Sequence, residues 1–253
     1  MNAAVVVGVD GSQAALNAVR WAVAEAANRG VALRLVHASP RATRRRGPIK
    51  IDRDDEGIDS PLREAEDLIE VGRARVAVES AVVCGDPESA LVIESRNAAL
   101  VCIGSLASER PGHSSLGSTG AALAVHAHCP VAVVRTNRDG SWAKTGVISV
   151  VLNDDDDNDE VVHAAMQQGR LRRATVRQVD RRRNSWVRKY PDVRVETVAC
   201  GTGRHYADRR RDDDGLQLAV VGRSDANTIA GLATPNCHPI MGYPDCSVLI
   251  VRN

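Results

Sequence analysis

One stretch of this 253-residue chain, residues 98–135, restricts the fold more than any other part of the sequence. It contains a short apolar run (98–103), a glycine-bounded loop, a helix predicted to begin at Gly117-Ser118-Thr119, and a second apolar run (131–134). Neither run alternates with polar residues, which is typical of strands covered on both faces. A helix start that follows a strand also favours a bound anion, most often a phosphate. The stretch therefore predicts a buried sheet with a phosphate-binding loop.

The residues before this stretch show the same alternation of strands and helices. Strands are predicted at 5–9, 31–36 and 76–83, and helices at 14–28, from Ser60 to about residue 72, and from Asp86 onward. Gly30 closes the first helix and Pro61 follows an N-cap serine, as is usual at helix ends and starts. A strand, a helix and a second strand within about 35 residues form a βαβ unit, which implies a parallel sheet. The arginine-rich residues 41–56 interrupt the pattern.

Much of the chain repeats itself. Residues 76–85, 98–104 and 128–135 recur at 193–201, 216–222 and 245–252, with offsets of 116 to 118. The first strand, 5–10, recurs at 148–153 with an offset of 143, so the second copy lacks about 26 residues (143 − 117). We therefore predict two tandem α/β domains, 1–138 and 139–253, each a mainly parallel five-stranded sheet flanked by helices.

Charge and cysteine usage argue against several classes of protein. Lys and Arg number 33 against 32 Asp and Glu, which gives no overall attraction to nucleic acid or to a membrane surface. The six cysteines form no Cys-x-x-Cys pair and mostly adjoin apolar runs, so we expect buried, reduced thiols in a cytoplasmic protein. Met1 leads directly into the first strand, from which we expect neither secretion nor membrane insertion.

Three features of the first copy carry a resemblance to a known family. One strand ends in Asp10, another ends at His37-Ala38, and Gly104 is followed by two residues, Ala107, nine residues and Gly117-Ser118. This pattern resembles the phosphate motif of the universal stress protein (UspA-like) family. The resemblance implies two tandem Rossmann-like domains of the adenine nucleotide α-hydrolase-like kind, the second degenerate. It also implies that the last strands, 131–134 and 248–250, pair the copies as a pseudo-dimer.

The resemblance further implies an ATP site in the first copy, with or without Mg²⁺. The carboxylate after the first strand would reach the ribose, the residue after the histidine would pack on adenine, and the glycine loop would hold the phosphates. The residues implied are Asp10, Ala38, Gly104, Ala107, Gly117, Ser118 and Thr119. Ala107 stands where the motif has its second glycine. If that position needs a positive φ, alanine costs about 1 kcal/mol, which weakens a site without abolishing it.

The second copy departs further from the motif. Gly222 is kept, but Asp225 takes the position of Ala107, and Thr234-Pro235 stands where Gly117-Ser118 is expected. Proline supplies no N–H, and the acidic run 154–157 would repel a phosphate. We predict that this copy binds no nucleotide.

Other sites are poorly supported by the spacing. An EF-hand starting at Asp154 would need a glycine at Asp159, and Cys237-His238 has no second spaced pair for zinc. No Walker A sequence or Ser–His–Asp constellation is present, so we expect no enzyme beyond slow ATP hydrolysis. The expected role is ATP-linked stress or dormancy signalling. The alternatives are a slow ATPase, or a nucleotide-free regulator that acts through an unidentified protein partner. A homodimer also stays open.

Overall fold

A computed structural model describes residues 3–39, 60–73, 75–106, 117–150, 158–178, 188–197, 216–223 and 246–252. Several predicted features lie outside these residues: the arginine-rich segment 41–56, Ala107, the acidic run 154–157, Asp225 and Thr234-Pro235.

The described chain alternates strands and helices as predicted. The first half contains β1 (Ala4–Gly8), α1 (Gln13–Arg29), β2 (Leu33–Ser39), α2 (Ser60–Val71), β3 (Val78–Cys84), α3 (Pro87–Glu94), a 3-10 turn (Ser95–Asn97), β4 (Ala98–Leu106), α4 (Gly117–His126) and β5 (Val131–Thr136). The second half contains β6 (Val147–Val150), α5 (Asn158–Arg172), β7 (Val176–Gln178), β8 (Val195–Thr197), β9 (Leu216–Val221) and β10 (Ser247–Ile250).

Side-chain caps explain where two of the helices begin. Ser12 Oγ accepts a hydrogen bond from Ala15 N at 3.1 Å and caps α1, which ends at Gly30 in the left-handed conformation (φ 64°). Asp86 Oδ1 accepts from Ser89 N at 2.8 Å and caps α3, whose first residue is Pro87. Both helix starts agree with the sequence signals.

The ten strands of the described residues form one sheet, in the order β3-β2-β1-β4-β5-β10-β9-β6-β7-β8. Within each half the described strand pairs are parallel. The registers of the two halves correspond: Val5 pairs with Leu33 in the first half, and Ile148 with Val176 in the second, both shifted by 143. The internal repeat is therefore a structural repeat. The predicted boundary between residues 138 and 139 falls in the connection from β5 to β6 and stays a prediction.

The two halves meet where β5 pairs antiparallel with β10, as the resemblance implied. Ala132 lies opposite Leu249, with Val133 opposite Val248 and Val131 opposite Ile250. Ala132 and Leu249 are themselves corresponding positions of the repeat (132 + 117 = 249). The pairing is therefore symmetric about them, and a local twofold axis passes between these two residues.

Helices cover both faces of the sheet. One apolar layer, which contains Trp21 of α1 and Met166 of α5, runs across both halves, and a second layer lies beneath α3 and α4. Within the described residues, no helix is long and apolar enough to cross a membrane.

Among the described residues, Cys84, Cys102 and Cys129 are free thiols, in agreement with the expectation of reduced cysteines. Cys102, Cys129 and Cys246 are buried, and burial raises the pKa of the Cys129 thiol to about 11. Cys84, at the end of β3, is exposed rather than buried. Cys200 and Cys237 lie outside the described residues.

Candidate functional site

A cleft of about 610 Å³ opens at the carboxyl ends of β1, β2 and β4. The chain leaves β1 for β2 on one side, whereas β4 flanks β1 on the other, so the strand order reverses at this point. Open α/β sheets bind ligands at such a reversal, because the connections diverge there and leave a crevice. The volume lies within the range of small-molecule sites.

Six of the seven predicted site residues line this cleft. They are Asp10, Ala38, Gly104, Gly117, Ser118 and Thr119, which come from β2, β4, α4 and the turn between β1 and α1. The seventh, Ala107, lies outside the described residues. The fold therefore brings together residues that are up to 109 positions apart in the sequence (119 − 10).

Asp10 is an exposed carboxylate held at the turn from β1 into α1. Its Oδ1 accepts a hydrogen bond from Ser12 N at 2.9 Å, which forms an Asx turn directly before the helix. Ser12 uses its hydroxyl to cap the same helix. One oxygen of Asp10 is thus fixed by the backbone, while the side chain as a whole stays accessible from the cleft.

Gly104 has a structural reason to be glycine that sequence reasoning did not identify. A Cβ at this position would lie 2.5 Å from Ala15 N and closer still to the carbonyl group of Ala14. The first turn of α1 therefore packs directly on the backbone of β4. Packing against this helix, which forms one wall of the cleft, is thus a reason for glycine at position 104 in addition to the predicted phosphate contact.

Gly117 meets a different requirement. It begins α4 with a φ of +71°, and the space around its missing Cβ is open. Glycine is therefore favoured here by backbone conformation rather than by packing. Ser118 and Thr119 follow in the first turn, where helical N–H groups have no acceptor within the helix. Their N–H groups and hydroxyls are the polar donors of this wall.

His37 lines the cleft beside Ala38 and was not predicted as a site residue. Its Nδ1 lies 2.8 Å from Val9 O. Since a carbonyl oxygen only accepts, Nδ1 carries a proton and donates a hydrogen bond to Val9 O just after β1, and Nε2 is the nitrogen available to a ligand. The sequence predicts this histidine at a strand end, but the partner that orients its ring follows a different strand, β1.

The β4 wall of the cleft is supported from β5. Arg135, which is 2% exposed, donates through Nη1 to Ser105 Oγ at 2.8 Å and to Leu106 O at 2.9 Å. Its backbone N–H donates to Ser247 Oγ of β10 at 3.0 Å. A buried guanidinium thus fixes the end of β4, which leads into the glycine loop, and its own backbone is tied to the second half. Sequence patterns alone gave no signal for this support.

The cleft has little positive charge of its own. Among the described residues that line it, Asp10 is the one that is formally charged at neutral pH. The starts of α1 and α4 both face it, and each contributes the partial positive charge of a helix N-terminus. Among the described residues, backbone N–H groups and hydroxyls away from Asp10 are therefore the groups suited to an anion.

In the second half, one counterpart of the predicted site residues, Gly222, lies within the described residues. Gly222, the counterpart of Gly104, is buried after β9. The other counterparts lie outside the described residues, so the predicted lack of a site there stays a prediction. In the part of the chain that the structure describes, no three His, Cys, Asp or Glu side chains lie together as a metal site would require.

Comparison with known proteins extends the similarity over the whole chain. A universal stress protein of Mycobacterium tuberculosis is 37% identical over 265 aligned residues, which cover 98% of this chain and 96% of the relative. A second one from the same organism is 33% identical over 263 residues and covers 92% and 93%.

A solved structure supports the same fold. A universal stress protein from Archaeoglobus fulgidus matches 100% of this chain and 97% of its own, with a TM-score of 0.63 at 13% identity. The sequence model of the universal stress protein family matches residues 1–135, which form the half that contains the cleft. The chain belongs to the universal stress protein family.

Proposed function

We propose that the first half binds an adenine nucleotide, with ATP as the expected ligand, and that its occupancy serves stress or dormancy signalling without catalysis. The observation that carries the proposal is the cleft at the strand-order reversal, which gathers six of the seven residues implied by the sequence motif. Membership of the family is established, whereas the ligand and the signalling role are the proposal.

The distribution of charge in the cleft supports one orientation of the nucleotide. The phosphates would lie across Gly104 and the first turn of α4, where N–H groups and the hydroxyls of Ser118 and Thr119 face them. The ribose would lie at Asp10, because its hydroxyls donate to a carboxylate that would repel phosphate. Adenine would lie at Ala38, beside the Nε2 of His37. A magnesium ion, if bound, would be held mainly by the phosphates.

One observation favours a nucleotide-free regulator of the same fold instead. No lysine or arginine is among the described residues that line the cleft, and Asp10 carries a negative charge there. In that case the protein would act through its surface on an unidentified partner, with a homodimer as one possible arrangement. Slow ATP hydrolysis is the third alternative. We place the protein in the cytoplasm, where free thiols such as those described here are stable.

Calorimetric titration with ATP and AMP tests the proposal. We expect one site per chain and weaker binding of AMP, which lacks the outer phosphates. Gly117→Ala strains the start of α4 and should lower the affinity for ATP severalfold. Gly140→Ala is the matched control, because Gly140 has a similar φ of +80° outside the cleft.

Asp10→Asn tests the orientation. Asparagine keeps the oxygen that accepts from Ser12 N but loses the charge, so ribose at this position predicts about tenfold weaker binding. Tighter binding of Asp10→Asn would reverse the proposed orientation. Absence of any heat and of any thermal shift with wild-type protein at millimolar ATP would refute nucleotide binding and leave the nucleotide-free reading.

A further inference from the structure

At the contact between the two halves, a residue of one half meets the residue at the corresponding position of the other half. The side chains at such a pair of positions can therefore be compared across the local twofold axis. The offset of 143 that relates β1 to β6 also relates α1 to α5. It relates Trp21 to Ala164, Glu25 to Gln168 and Arg29 to Arg172. The offset of 117 relates Ala132 to Leu249, and this pair lies on the axis itself. We call these four position pairs the inter-half set.

In the apolar pairs of the inter-half set, the first half has the smaller residue at the strand position and the larger one at the helix position. At the strand position the first half has Ala132 and the second has Leu249, both buried. At the helix position the first half has Trp21, which is 2% exposed, and the second has Ala164. The Trp21 ring carries the guanidinium of Arg172 at 4.4 Å from its centroid. Arg29 is the counterpart of Arg172, but the counterpart of the ring is Ala164, so the interface is asymmetric despite its local axis.

The polar members form a network, buried except at Arg29, that depends on one carboxylate and one amide. Gln168 Nε2 donates to Glu25 Oε1 at 2.9 Å across the axis, and Arg172 Nη2 donates to the same oxygen at 2.9 Å. Arg172 Nε also donates to Gln168 Oε1 at 2.8 Å, and Arg29 pairs with Glu25 Oε2 at 3.2 Å. The side chains of Glu25 and Arg172 are only 1% and 7% exposed. Burial lowers the pKa of Arg172, and the Glu25 carboxylate opposes that shift.

Pairing two like halves through this surface would lose these contacts. Two copies of the first half would place a carboxylate against a carboxylate where an amide now donates, since neither oxygen carries a hydrogen. They would also place alanine against alanine at the strand axis and leave a cavity there. Two copies of the second half would place leucine against leucine, and two buried arginines would have no carboxylate. The symmetric strand register would permit either pairing, so selection falls to the side chains.

We propose that the inter-half set selects the pairing of unlike halves, so that the surface formed by α1 and β5 accepts the second half and rejects a second copy of the first. The occupant of this surface is therefore residues of the same chain, on α5 and β10. The inference does not depend on nucleotide binding.

Four full-length proteins test the proposal: wild type, Glu25→Gln, Gln168→Glu, and the swap that combines both changes. Glu25→Gln makes the polar pair alike and leaves buried Arg172 without its carboxylate, so its thermal midpoint should fall by about 10 °C. The swap returns one carboxylate and one amide between the two corresponding arginines, and it should recover most of that loss. Gln167→Glu, which adds a carboxylate at the exposed neighbouring position of α5, is the control and should melt close to wild type.

Gln168→Glu adds a pH signature that a change in packing alone would not give. It faces Glu25 across the axis, with Arg29, Arg172 and the buried Cys102 thiol as the other titratable groups nearby. Two carboxylates in contact share a proton, so this variant should lose stability relative to wild type as pH rises from 5 to 8. The proposal is overturned if the swap melts no higher than Glu25→Gln, or if Gln168→Glu follows Gln167→Glu at every pH.

Discussion

Replacing Gly104 by alanine tests how closely the wall of the cleft is packed. The added Cβ would lie 2.5 Å from Ala15 N and closer to the carbonyl group of Ala14, and all of these atoms belong to backbone. A flexible side chain cannot move aside here, so the first turn of α1 has to shift away from β4. Overpacking of a buried site costs about 1–3 kcal/mol, and rigid backbone places this substitution at the upper end. For a chain of this length, about 3 kcal/mol lowers the thermal midpoint by roughly 6–12 °C.

Differential scanning calorimetry of Gly104→Ala beside Gly30→Ala separates packing from backbone strain. Gly30 has a φ of +64° but open space around its missing Cβ, so alanine there costs only the left-handed conformation, about 1 kcal/mol. We therefore expect Gly104→Ala to lose clearly more than Gly30→Ala. Gly104→Ala should also lower the affinity for any ligand in the cleft, because α1 forms one wall of it. A midpoint for Gly104→Ala equal to or above that of Gly30→Ala would refute the close approach of α1 and β4.

Two further predictions concern other parts of the molecule. Asn17→Ala removes the donor to Thr136 Oγ1 (2.9 Å) and Gly140 O (3.0 Å), so unfolding free energy should fall by about 1–3 kcal/mol. Limited proteolysis between residues 137 and 146 should then be faster than in the wild type. The isosteric Asn17→Asp, which also lacks the amide donor, should lose stability in the same way as Asn17→Ala. At Asp192, the hydrogen bond from Arg170 lowers the pKa of the carboxyl group. A carboxyl group with a lowered pKa in the folded protein stabilises the fold at pH values above the ordinary aspartate pKa of about 4. This stabilisation is lost as the pH falls through the lowered pKa. Urea titrations should therefore show Asp192→Asn less stable than wild type at pH 7, with the difference vanishing on acidification.

Local signals in the sequence predicted the elements and the repeat well. Asp86-Pro87 and Gly30 mark helix ends by capping chemistry that acts within four residues, and the structure has the caps at those positions. The antiparallel contact of β5 with β10 followed from the family resemblance and from the need to cover an apolar edge. In each case the interaction partner lies nearby in sequence or at a position fixed by the repeat.

The remainder of the site depends on contacts between distant segments, which a single sequence does not encode visibly. The motif predicts Gly104 as a phosphate contact, whereas its packing contact with Ala14 depends on a residue that is distant in the sequence. His37 gains its fixed ring orientation from Val9 O. In the sequence, Arg135 is like any arginine at the end of a strand. In the structure, its guanidinium donates a hydrogen bond to Leu106 O. Hydrogen bonds of polar groups that tertiary packing buries could therefore not be predicted from the sequence alone.

The helix α1 links the cleft to the contact between the two halves, because its successive turns meet different parts of the molecule. Its first turn, after Asp10, lines the cleft, Asn17 holds the connection to the second half, and Glu25 meets α5. The repeat allows the same turns to be compared in α5. The counterpart of buried Asn17 is the exposed Glu160, whereas the counterparts of Glu25 and Arg29 are still polar residues of the same network. Toward the cleft end of this helix the copies therefore differ in exposure, whereas at the interface end the unlike side chains of Glu25 and Gln168 are both buried and bonded to each other. That is the pattern expected if one half carries the ligand site and both halves are needed to build the sheet.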